Sequence, residues 1–226
     1  MADFIGIAPR RVEHEIPPAT GRPPAMHIEV TEILRCPQPH EESYLICGPV
    51  TMDGRDVVRG GLACPVCRAE YPIVDRVAWF APPDAVADAP APLAPSGLTA
   101  EAALAFLDLQ GGGGYVLLVG NAARLGPDLA ALLPLSAVVC CCLSSSRPAS
   151  GAVSILHSPR VLPIKRHTVR AVVVGSDAAL EPWLPAAVGA LLTGLRVIVE
   201  DEAAGPAGIV ELARGAGVFV GEKRTR

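Results

Sequence analysis

Aromatic side chains are scarce. Phe, Trp and Tyr make up 4% of the 226 residues, whereas hydrophobic residues reach 50%. A core from this sequence is therefore built of Ala, Val, Leu and Ile. Charge of one sign is also missing: residues 1–80 carry 8 basic and 11 acidic side chains, and residues 81–226 carry 11 and 12. Neither half has the basic excess of a nucleic-acid binder. No apolar run reaches the roughly 18–20 residues that span a bilayer. The longest, LPAAVGALLTGLRVIV (184–199), is broken by Gly189, Gly194 and Arg196. The N-terminal MADFIGIAPRRVEHEIPP has no basic stretch leading into an apolar one, so a signal peptide is not expected.

The usual nucleophile and phosphate motifs are missing too. Ser144, Ser145 and Ser146 lack the G-x-S-x-G elbow of hydrolases. Gly111–Gly114 is not followed by Lys-Ser/Thr and precedes a strand, so it reads as a hinge rather than a phosphate loop. His157 and His167 have no nucleophile at a recognisable spacing.

What is present is cysteine in ligand spacing. Seven Cys is an odd number, which fits a reducing cytoplasm and a metal site better than a disulfide framework. Cys64-Pro65-Val66-Cys67 is a CPxC turn of the rubredoxin-knuckle type. Its partner is ILRCPQPH, where Cys36 is followed four positions later by His40. Zn²⁺ takes four tetrahedral ligands from thiolates and imidazoles, and two short-spaced pairs supply them. Cys36, His40, Cys64 and Cys67 are the expected ligands, with Cys47 in SYLICG as the alternative to His40. Four protein ligands leave no open position for water, so the zinc is structural. The competing reading is a redox pair, which would need CPVC to open a helix. RAEYPIVD after it reads as turn and strand. Cys140-Cys141-Cys142 falls in a strand, where neighbours face opposite ways, and reads as core packing.

Residues 1–26 show no periodicity and read as a flexible arm. Residues 27–80 form the metal-binding unit. The Pro/Ala-rich stretch 81–97 reads as a semi-rigid linker that isolates two cores, and 98–226 alternates strand and helix signals. Thr99 is an N-cap for a helix over 98–110. Strands are expected at 115–120, 136–144, 153–159, 169–176, 195–202 and after 217. Helices are expected at 122–134, 181–194 and 208–217. Continuous β-branched runs between helices imply a mostly parallel, doubly wound α/β sheet covered on both faces.

The segment EILRCP…ACPVCRAEYPIVDRVAWF, about residues 29–80, resembles the zinc-ribbon family of tRNA, rRNA and release-factor methyltransferase activators. It departs at CPQPH, where CPxC is usual, and at Arg76, where Gly is usual. The resemblance implies protein contact by a ribbon that covers apolar surface on a methyltransferase. Residues 115–226 are similar to class I S-adenosylmethionine-dependent methyltransferases, with YVLLVGNAARLG at the glycine loop and LLTGLRVIVEDE at a later strand. Generic strand–helix alternation in another doubly wound domain is the competing reading. The physical demands of the glycine loop are poorly met. Gly120 stands for the first glycine, but Ala122 and Arg124 hold the next two positions and Leu118 the acidic one. CCCLSSSRPAS offers no carboxylate to a ribose, and Arg170 occupies a position commonly held by Asp.

These features predict a Rossmann-like, degenerate methyltransferase domain carried beside a structural zinc ribbon. Gly120 and Asn121 are the only expected cofactor contacts, and S-adenosylmethionine is not expected to bind. A cytoplasmic, non-catalytic scaffold or regulator for a protein partner, either a methyltransferase or a larger assembly, is the leading expectation. A divergent methyltransferase acting on RNA or protein is the alternative. A nucleic-acid-binding ribbon using Arg160, Lys165, Arg166, His167 and Arg170 comes third, although the overall charge does not favour it.

Overall fold

The computed structural model describes residues 26–81, 97–133, 135–142, 153–180 and 182–224. The arm up to residue 25, linker residues 82–96 and the serine-rich stretch 143–152 lie outside the described residues.

A 3₁₀ turn over Ile28–Ile33 opens the described chain. Five strands follow: β1 (Ile46–Cys47), β2 (Thr51–Asp53), β3 (Asp56–Ala63), β4 (Glu70–Val74) and β5 (Val77–Trp79). Helix α1 spans Ala100–Leu107, with the Thr99 hydroxyl accepting from the Ala102 N–H at 3.2 Å. Strand β6 (Tyr115–Val119) runs into a 3₁₀ turn (Gly120–Leu125) and α2 (Gly126–Leu132), whose junction falls at Gly126-Pro127. Then come β7 (Ala137–Cys142), β8 (Val153–His157), β9 (Ala171–Val174), α3 (Trp183–Ala190), β10 (Arg196–Val199), β11 (Ile209–Gly215) and β12 (Val218–Lys223).

All twelve strands belong to one sheet of order β1-β3-β4-β5-β8-β7-β6-β9-β10-β12-β11, with β2 beside β3. The fold is mixed α/β. The pairings from β5 through β8, β7, β6 and β9 to β10 are parallel. The other six are antiparallel. The expectation of a mostly parallel, doubly wound sheet is therefore corrected. Parallel pairing holds in the middle, where β6 to β9 are buried along nearly their whole length as strands covered on both faces must be. Helical cover is incomplete because the β8–β9 connection contains no helix. Pro159 and Pro163 remove backbone donors there. Part of one face is covered by the N-terminal segment, whose Val30, Ile33 and Leu34 share a core with Leu117, Val139 and Val172. On the other face α1 and α2 pack through Ala103, Leu107 and Leu129.

The predicted helix at 208–217 is instead strand β11. It pairs with β12 across Ala216-Gly217, and both turn residues have positive φ (52° and 76°), the type I′ geometry that matches strand twist. The local cue was the β-branched Ile209-Val210 followed by a glycine turn, which outweighs a weak helical period. A bulge between Glu211 and Ala213 interrupts its register.

The expected isolation of two cores also fails. β5 pairs with β8 through Val77–Ile155, Ala78–Leu156 and Trp79–His157. Trp79 stacks on His157 at 4.4 Å, and the Phe80 N–H donates to the His157 carbonyl at 2.8 Å. Met26, Leu34, Leu62 and Tyr71 belong to the same apolar cluster as Val172, Leu184 and Phe219. Two segments that share a ladder and a core unfold together. In a Trp183→Phe variant, Trp79 fluorescence and far-UV circular dichroism are expected to give coincident denaturation curves. Separate midpoints would show independent cores.

Candidate functional site

Two constellations carry chemistry, one on each segment. In the first, the ligand atoms of Cys36, His40, Cys64 and Cys67 lie within 4.8 Å of one another. Cys36 follows the isolated bridge of Arg35 to Tyr44, and its N–H donates to the Ser43 carbonyl at 2.9 Å. Cys64 and Cys67 sit on the tight turn between β3 and β4, closed by Arg68 N–H to Cys64 O (3.0 Å) and Cys64 N–H to Ala69 O (2.9 Å). Arg68 ends that turn with φ 60°, a conformation that favours glycine.

The spacings suit a tetrahedral ion. Zn–S bonds of about 2.3 Å and Zn–N bonds of about 2.0–2.1 Å imply S–S edges near 3.7 Å and S–N edges near 3.5 Å. Cys36 Sγ lies 3.6 Å from Cys67 Sγ, and Cys64 Sγ 3.5 Å from His40 Nε2. His40 Nδ1 is 2.6 Å from the Glu41 carbonyl. A proton on Nδ1 leaves the Nε2 lone pair facing the thiols, as in ligand histidines held by an outer partner. That carbonyl, followed by the Cys67 thiol, raises the His40 pKa. Burial pushes the Cys64 thiol up, but the N–H groups of Cys67 and Val66 and the neighbouring thiols outweigh it, lowering its pKa to about 6. A thiolate at neutral pH is what a metal needs. Burial raises Cys36, opposed by the Tyr71 hydroxyl at 3.4 Å. The group could hold a zinc ion. Cys47, the alternative ligand, lies on β1 outside it.

The second constellation lies where the sheet order reverses, between β6 and β9. In open α/β sheets the crevice beyond the carboxyl ends of such strands is where nucleotides bind. Here Gly120 has φ 67° and is buried, as a loop of that kind requires. The space is filled by the chain itself. The Asn121 N–H donates to the Asp177 carboxylate at 2.8 Å, and Asn121 Nδ2 to the Ser176 hydroxyl at 3.2 Å. A Cβ on Gly120 would overlap the Asp177 carboxylate, and one on Gly175 would overlap the Asn121 amide. Arg124 reaches across to Glu200 at the end of β10 in a bidentate pair, 2.7 Å on one side. It also donates to the Asn121 and Leu98 carbonyls. Burial raises the Asp177 pKa, with the charge of Glu200 adding to it.

The sequence singled out Gly120 and Asn121 as cofactor contacts, and here Asn121 is held by Asp177 and Ser176; it did not point to the pair joining Arg124 to Glu200, 76 positions apart. The only available signal was an arginine where a glycine was expected. Arg170 is not in this crevice. It precedes β9 at the opposite end and donates to the carbonyls of Gln110, Gly112 and Gly113, so Gly111–Gly114 is a tied loop rather than a free hinge. Cys140, Cys141 and Cys142 are all buried and alternate between the two cores. Burial drives the thiols of Cys140 and Cys141 far up, consistent with packing. No helix among the described residues is long and apolar enough to cross a membrane. Compared with known protein families and with curated proteins, the chain matches none.

Two outcomes follow. Cys47→Ser is expected to leave one equivalent of zinc per chain, whereas His40→Ala lowers zinc content and accelerates loss to a chelator. The reverse result would put Cys47 in the site. Arg124→Ala strands the Glu200 carboxylate in the core and is expected to cost about 3–5 kcal/mol of stability, measured by denaturant titration. A change under about 1 kcal/mol would mean that the pair carries no such burden.

Proposed function

We propose that this chain is a zinc-binding, non-catalytic scaffold or regulatory protein, a structural ribbon fused to a pseudo-methyltransferase domain. The carrying observation is the crevice at the β6–β9 switch point, where Asp177 accepts the amide hydrogen bond a nucleotide would seek. The strand order β8-β7-β6-β9-β10 follows the 3-2-1-4-5 sequence of nucleotide-binding α/β sheets, which supports a common architecture. The contents of the crevice do not suit S-adenosylmethionine. Asp177 and the Arg124–Glu200 pair stand in the space.

The ribbon's zinc is structural on this reading, because four protein ligands complete its tetrahedron. Its apolar exit segment, Val77 to Phe80, is buried against the chain's own sheet. On this reading, the apolar surface that such a ribbon covers belongs to the chain itself. A protein partner would meet other surfaces, among them the ribbon's outer edge with exposed Tyr44, Ile46, Met52 and Val66. The nucleic-acid reading loses support because two of its cations are used internally. Lys165 Nζ donates to the Glu32 carbonyl, and Arg170 to the glycine loop.

Calorimetric titration of zinc-loaded protein with S-adenosylmethionine and S-adenosylhomocysteine tests the proposal. The expected result is no saturable heat at millimolar ligand. Micromolar binding would overturn it and favour the divergent methyltransferase.

A further inference from the structure

Beyond the amino ends of β9 and β10, away from the filled crevice, lies a cavity of ≈ 400 Å³ between α3, the β8–β9 connection and the end of β12. Four basic side chains line it: Arg166, His167, Lys223 and Arg224. No Asp or Glu is among its lining residues. Its wall on α3 is apolar, formed by Leu184, Pro185 and Val188.

The four side chains are not equivalent. Lys223 Nζ donates to the Val188, Gly189 and Leu191 carbonyls at 2.6–3.2 Å, capping the C-terminal end of α3. Arg224 pairs with Glu222 at 3.3 Å and stays largely exposed. Arg166 has no hydrogen bond or ion pair among the described residues. Its guanidinium lies beside Gly189, where an added Cβ would meet Nε at 3.9 Å, an ordinary van der Waals contact. His167 is held at φ 54°, with its N–H on the Gly189 carbonyl at 3.1 Å and Nδ1 3.5 Å from Lys223 Nζ. A non-glycine residue in that conformation is costly and is kept where the surroundings fix it. Burial, with the nearby charge of Arg166, lowers the Lys223 pKa.

We propose that this cavity binds a small organic phosphomonoester. The phosphate sits between the Arg166 and Arg224 guanidiniums, which match its oxygens in pairs. The organic body lies on Leu184, Pro185 and Val188. A dianion suits two guanidiniums better than a single carboxylate does, and the volume falls in the range of small-molecule sites.

The test uses full-length, zinc-loaded protein titrated calorimetrically with phenyl phosphate at fixed ionic strength. Saturable 1:1 binding is expected, tighter than for inorganic phosphate, which lacks the apolar body, and tighter than for benzoate. Arg166→Ala, at an exposed position, should retain the melting midpoint and weaken binding about tenfold or more, the loss of one charged hydrogen-bonding group. Arg59→Ala on the ribbon should leave it unchanged. The proposal is overturned by absence of saturation, by benzoate binding equally well, by an unaltered Arg166→Ala affinity, or by an equal loss in Arg59→Ala.

Discussion

The parallel pairing of β5 with β8 is the constraint on which the rest of the molecule depends. It joins three residues of the metal-binding segment to the edge of the central sheet. An unpaired β8 edge would present a row of free amides and carbonyls, a template for aggregation. β5 covers that edge, and β4, β3 and β1 extend the sheet from it. Cys64 and Cys67 of the candidate ligand group sit on the turn of the β3–β4 hairpin, and β4 in turn pairs with β5. The candidate ligand group and the α/β core are thereby coupled through backbone hydrogen bonds.

The segment 26–36 makes the coupling broader. Its carbonyls accept from the Lys165 N–H and the Tyr115 hydroxyl, and its residues lie over one face of the central strands. A helix would ordinarily occupy such a face. Here a 3₁₀ turn supplies the cover, and so a connection as irregular as the one between β8 and β9 is tolerated. The N-terminal segment is part of the fold of the second segment rather than an appendage to it.

The metal cluster was legible in the sequence because ligand chemistry acts at short range. CPVC and CPQPH state their geometry within a few residues, and only the choice between His40 and Cys47 needed coordinates. The buried strands were legible for a similar reason, since runs such as YVLLV and AVVV leave no polar face. Strand β11 was not, because its side chains are mostly exposed and its pairing with β12, through a turn at Ala216-Gly217, overrides local preference. The joining of β5 to β8 was equally hidden. Contacts between residues 77–79 and 155–157 leave no periodic trace, and the Pro/Ala-rich stretch between them suggests separation.

The Arg124–Glu200 pair has a bearing on how such a chain can change over generations. With Glu200 buried and Arg124 as its counter-charge, losing Arg124 alone leaves the carboxylate in a medium that cannot solvate it. Reopening the crevice by losing Arg124 first would pass through a poorly folded intermediate, whereas replacing both residues together need not. Drift at the two positions is therefore coupled: the carboxylate is tolerated while its counter-charge is kept, and the shape of the crevice follows from that electrostatic constraint without any ligand.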